Sequence, residues 1–103
     1  MNVPSLEIGE ITGGFKINAE IFNSGVDAIG VDTKITVDGN LVIMGNEKIS
    51  TLPIIKTNDK AVISSDLILG LGDIQITIEA SIDEVYASKT VDGFVFLFYV
   101  IIN

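Results

Sequence analysis

Ile74-Gln75-Ile76-Thr77-Ile78-Glu79-Ala80-Ser81-Ile82-Asp83 alternates apolar and polar residues over ten positions without a break. A period of two is the signature of a strand with one face in a core and the other in solvent. Two further stretches share it. In Phe15-Lys16-Ile17-Asn18-Ala19-Glu20-Ile21 every second residue is apolar, and Val31-Asp32-Thr33-Lys34-Ile35-Thr36-Val37-Asp38 repeats the pattern with Thr33 at an inward position. The inner faces expected are Phe15/Ile17/Ala19/Ile21, Val31/Ile35/Val37, Ile63/Leu67 and Ile74/Ile76/Ile78/Ile82.

Composition agrees with strands throughout. Of 103 residues, 28 are Ile or Val and seven are Thr, β-branched side chains that suit a pleated sheet better than a helix. Further strands are expected at Leu6–Ile11, Leu41–Met44, Glu47–Leu52, Ala61–Leu69 and Thr90–Ile102. Turn-forming residues separate them at Gly13-Gly14, Asn23-Ser24-Gly25, Asp38-Gly39-Asn40, Gly45-Asn46, Thr57-Asn58-Asp59, Gly70-Leu71-Gly72 and Asp92-Gly93. Asp38-Gly39, between two apolar runs, reads as a tight hairpin. No stretch of ten residues has a helical period. Short strands at this spacing predict one all-β domain over residues 1–103, an antiparallel Ig-like or fibronectin-like β-sandwich of seven to nine strands.

Several chemistries are excluded by residue type. There is no Cys, His, Trp or Arg, so disulfides, thiol chemistry, Cys/His zinc sites and His- or Cys-based catalysis are ruled out. A net charge of -8 leaves no basic face for nucleic acid. Met1 to Glu10 lacks a basic segment followed by an apolar run, so no signal peptide is expected in this chain; a cytosolic protein, a mature form and an excised domain all fit.

The stretch from Phe15 to Asp83 resembles the CARDB-like group of Ig-fold domains of archaeal and bacterial cell-surface proteins. The resemblance rests on Ile21-Phe22-Asn23-Ser24-Gly25 followed by Ala28, Val31 and the strand to Val37-Asp38-Gly39. It continues in Leu52, Pro53 and Ala61-Val62-Ile63-Ser64-Ser65, and in the run from Gly72 to Asp83. The Gly-Glu that follows the family's proline is missing here, and Ile54 to Lys60 is longer than usual. The resemblance implies an extracellular spacer, stalk or adhesive module with no catalytic residues.

Asp73, Glu79 and Asp83 share the polar side of one strand with Gln75, Thr77 and Ser81, which reads as a solvated face rather than an acid–base pair. No cofactor is expected; calcium would draw on Asp27 and Asp32, Asp38 with Asn40, or Asn58 with Asp59, none of which has the Asp-x-Asp-x-Asp spacing of a calcium loop. A glycan platform needs exposed rings, whereas Phe15 falls on a core face and Phe94, Phe96 and Phe98 share one side of the last strand, where core packing accounts for them.

The last segment departs from alternation. Phe94-Val95-Phe96-Leu97-Phe98-Tyr99-Val100-Ile101-Ile102 is apolar at nine consecutive positions, too few to cross a bilayer as a helix. Read as one strand, it has two apolar faces. The outer one is covered either by other loops and the Leu41–Leu52 hairpin or by a neighbouring domain or subunit, a second copy included. The interface expected is Phe94, Phe96, Phe98, Tyr99, Val100 and Ile102. The function expected is a non-enzymatic structural or adhesive module, with a self-assembling fibre or sheath subunit and a calcium- or glycan-binding accessory module as alternatives.

Overall fold

The computed structural model describes residues 3–103, which form nine strands and no helix. They are β1 (Leu6–Thr12), β2 (Asn18–Asn23), β3 (Ala28–Gly39), β4 (Val42–Met44), β5 (Glu47–Ile55), β6 (Asp59–Ser64), β7 (Leu69–Ile82), β8 (Val85–Leu97) and β9 (Tyr99–Ile102). A small sheet in the order β1-β2-β6 faces a large one in the order β5-β3-β7-β8-β9, with β4 paired to the start of β7. All pairings are antiparallel. The chain passes between the sheets three times, after β2, β5 and β6, which is the Greek-key wiring of a fibronectin-like sandwich.

Apart from Phe15, alternation places the core as expected along these three stretches. Ile17, just before β2, and Ala19 and Ile21 within it meet Val31, Ile35, Val37, Ile74, Ile76, Ile78 and Ala80 of the large sheet. Thr33 does point inward. Its Oγ1 lies 3.0 Å from the Ser50 carbonyl and 2.8 Å from Ser50 Oγ on the neighbouring strand, so a buried hydroxyl is satisfied within the sheet.

Four expectations are corrected. Phe15 precedes β2 and is 65% exposed, because the Gly13-Gly14 pair (Gly14 at φ 115°) breaks the alternation before the strand begins. Leu67 lies between β6 and β7 and is exposed, since the run Ala61–Leu69 ends as a strand at Ser64. There the buried Ser65 Oγ accepts the Ile17 N–H and donates to the Asp66 carbonyl, turning the chain toward the other sheet. Asp38-Gly39 is not a tight hairpin: β3 runs through Gly39, β4 pairs with Leu69 and Gly70 of β7, and β5 joins β3 only at Glu47, after Gly45 at φ 81°.

The fourth correction concerns the C-terminal run. Thr90–Ile102 is the end of β8, a reversal at Leu97-Phe98, and β9. Leu97 adopts φ 56°, a region unfavourable for a leucine and therefore unsignalled locally. The reversal instead follows from packing. It sets Val95 and Val100 opposite each other on the inner face, both fully buried, and lets Gly14 exchange two backbone hydrogen bonds with Val100 (2.8 and 2.7 Å).

At the opposite end, Asn23 ties the loops together. It is 1% exposed, and its amide makes four hydrogen bonds. Oδ1 accepts from the backbone N–H of Ser5 (3.1 Å) and Gly25 (3.0 Å), and Nδ2 donates to the carbonyls of Val26 (2.6 Å) and Ile55 (2.9 Å). Every hydrogen-bonding capacity of the side chain is used. Gly25 serves close approach rather than a turn conformation, since a Cβ there would run into the backbone of Val3, Pro4 and Ser5.

Candidate functional site

The outer face of the large sheet changes character along its length. Cross-strand rows follow from the register. Thr51–Asp32–Ser81–Tyr86, Ile49–Lys34–Glu79–Ser88 and Glu47–Thr36–Thr77–Thr90 are mostly polar, and Asp38–Gln75–Asp92 follows. Then come Asp73–Phe94–Ile101 and Leu71–Phe96–Tyr99. The last two rows carry five large apolar side chains and one carboxylate on the face that turns away from the small sheet.

Neighbouring segments extend this apolar surface around the end of the molecule. The Phe15 ring packs edge-to-face on Tyr99, with centroids 5.8 Å apart. Across β7, the Leu71 N–H donates to the Leu41 carbonyl at 2.9 Å, which seats the exposed Leu41, Ile43 and Met44 beside the same rows. Leu97 and Phe98 form the exposed tip. The result is an apolar pole on a body 46 Å long and about 20 Å across.

The expected interface residues separate here. Phe96, at 57% exposure, Phe98 and Tyr99 are exposed, and Phe94 is half-buried on the outer face. Val100 is 1% exposed and belongs to the core, and Ile102 is half-buried against that core; the reversal at Leu97 turns both inward. β5 does not cover the outer face, because it lies beyond β3 at the far edge of the sheet. Core packing does not account for Phe15, Phe96 and Phe98. Leu71, Ile101, Phe15 and the residues of β4 complete the surface. In the sequence, Ile101 is signalled by the Phe94–Ile102 run and β4 by the unbroken run Leu41–Met44, while nothing marks Leu71 or Phe15.

The carboxylates considered for acid–base work are not brought together. Asp73 and Glu79 are six residues apart on one strand, roughly 20 Å at the usual rise, and Asp83 sits in the turn after β7 at φ 52°. A shallow groove of about 430 Å³ runs between Asp32, Lys34, Ile49, Glu79, Ser81 and Tyr86. Among the described residues no three acidic side chains converge. Three of the four carboxylates in the pairs named for calcium accept hydrogen bonds from the protein itself. Asp32 accepts from Thr51 Oγ1 (3.0 Å), and Asp59 from the Lys60 N–H (2.8 Å). Asp27 Oδ1 accepts from the Thr57 N–H (2.8 Å) and from Thr57 Oγ1 (3.1 Å).

The hydrogen bonds from Thr57 hold the Asp27 carboxyl below its ordinary value. A carboxylate with a depressed folded value stabilises the fold above its unfolded value and loses that contribution as pH falls through the folded one. A carbon-detected carboxyl titration is expected to place the Asp27 midpoint below the usual aspartate range, and Thr57→Val to return it toward that range. The Thr57 N–H, the larger cause, remains in Thr57→Val, so the return is partial; an unchanged midpoint would show that the hydroxyl bond does not form in solution.

None of the described residues lies in a helix, so none forms a helix long and apolar enough to cross a membrane. Compared with known protein families, characterised proteins and solved structures, the chain matches none.

Proposed function

We propose that this chain is a non-enzymatic module of the cell surface, structural or adhesive in role, of the CARDB-like kind that the stretch from Phe15 to Asp83 resembles. The observation that carries this reading is the apolar pole: a chain with net charge -8 presents Leu71, Phe96, Tyr99, Ile101 and Phe15 to solvent on one continuous face. Contiguous apolar surface of that kind is built for contact with another macromolecule. The body behind it suits a mechanical role. Asn23 and Ser65 cross-tie the loops through buried hydrogen bonds, and one Ile/Val core joins the two sheets.

Work at the cell surface requires the chain to be reachable from outside. Antibody against it is expected to label intact producing cells, and protease applied to those cells to remove the label. Labelling that appears only after lysis would overturn the assignment.

A further inference from the structure

We propose that the apolar pole is the interface of a homodimer, with a second copy of this chain docked pole to pole on it. This rests on the reading of the pole as a contact surface and names its partner.

Area is the first argument. Large side chains offer about 200 Å² each, so the exposed fractions of Leu71, Phe96, Tyr99, Ile101 and Phe15 leave roughly 500 Å² uncovered on one face. The β4 ridge and the Leu97–Phe98 tip bring the pole to roughly 1,000 Å² per copy on the same basis. The largest apolar patch on an ordinary monomer is about 300–600 Å². A stable interface takes about 800 Å² from each partner. The pole exceeds the first and meets the second.

Charge is the second argument. Two copies with net charge -8 repel each other over most of their surfaces. Contact at the ends of two 46 Å bodies keeps the acidic middles farthest apart, and Asp73 is the only charged side chain in the two apolar rows. The same net charge repels an anionic membrane.

Backbone geometry sets the mode. On the free side of β9, Gly14 takes up both the N–H and the carbonyl of Val100, so a further strand would have to displace it to add there. The copies therefore meet through side chains, face against face. An isologous contact uses the same surface on both partners and closes at two.

Light scattering on chromatographed protein, over a hundredfold concentration range at low and moderate salt, reads the outcome. A species of twice the 11.0 kDa chain mass is expected, tightened by salt because screening removes the repulsion. Phe96→Lys is expected to weaken it at least about 100-fold, the loss typical of a central aromatic anchor. Phe15→Lys lies outside any strand and tests the same surface if Phe96→Lys does not fold. Ile49→Lys, on the outer face but away from the pole, is expected to leave association unchanged. A monomer at every concentration, or a dimer indifferent to both pole variants, would overturn the proposal. So would a monomer that binds neutral phosphatidylcholine vesicles through the pole. In either monomer case, surface labelling of intact cells decides separately whether the module assignment stands.

Discussion

Replacing Asn23 by aspartate is expected to destabilise the fold by about 3–5 kcal/mol at neutral pH, the cost of an uncompensated buried charge. The change is nearly isosteric, so packing is preserved and the hydrogen-bond pattern alone is tested. Nδ2 donates to the carbonyls of Val26 and Ile55, and a carboxylate would set an acceptor against both. Protonation restores at most one donor. The variant's carboxyl is therefore raised in the folded state, and its stability improves as pH falls toward the ordinary aspartate range, the reverse of Asp27. Asn23→Ala is expected to lose a similar amount, because it leaves two N–H groups and two carbonyls without their partner at about 1–3 kcal/mol each, partly recovered by water. Urea unfolding of both variants, with the slope unchanged and the midpoint lowered, is the check. A loss below about 1 kcal/mol in Asn23→Asp would mean that the clasp is open in solution, since even one unsatisfied buried group costs that much.

The second large effect tests the register. Ile76 is fully buried on the inner face of β7, whereas Ile49 of β5 is 65% exposed on the outer face of the same sheet. Ile76→Ala is expected to cost about 2–5 kcal/mol in lost burial and residual cavity. Ile49→Ala is expected to stay within about 0.5 kcal/mol. The contrast comes from sheet geometry alone, since the two residues are chemically identical. Equal losses would mean that β5 is shifted by one residue relative to β3, which would exchange its faces.

Much of the fold was legible because alternation is a local property that directly reports a global one. From Ile74 to Ile82 and from Val31 to Val37, a residue's parity gives its face, and even the inward threonine at position 33 could be assigned. Reversals were less legible. Those at Asn58 and Asp83 fall on residues that tolerate positive φ, and both lie in or beside segments marked as turns or strand ends. Leu97 carries no such mark, so in the sequence the β8–β9 hairpin looks like one strand, which puts Val100 and Ile102 on the wrong face. The pole was only half legible: an unbroken apolar run shows that a second face needs covering, but not which residues from elsewhere in the chain join it.

The all-β character, the sandwich, the inner faces of the long strands and the residue types available for chemistry are written into the chain locally. These follow from side-chain shape, period and composition, each a local quantity. That the last apolar run folds back on itself, that Phe15 turns outward onto Tyr99, and that β4 lies beside Leu71 are matters of long-range packing. Val100 meets Gly14, Tyr99 meets Phe15 and Leu71 meets Leu41, and strand parity carries no information about which distant segment will be a neighbour. The sandwich buries one face of each sheet and, among the described residues, provides no third layer, so the apolar rows beyond Gln75 and Asp92 face solvent.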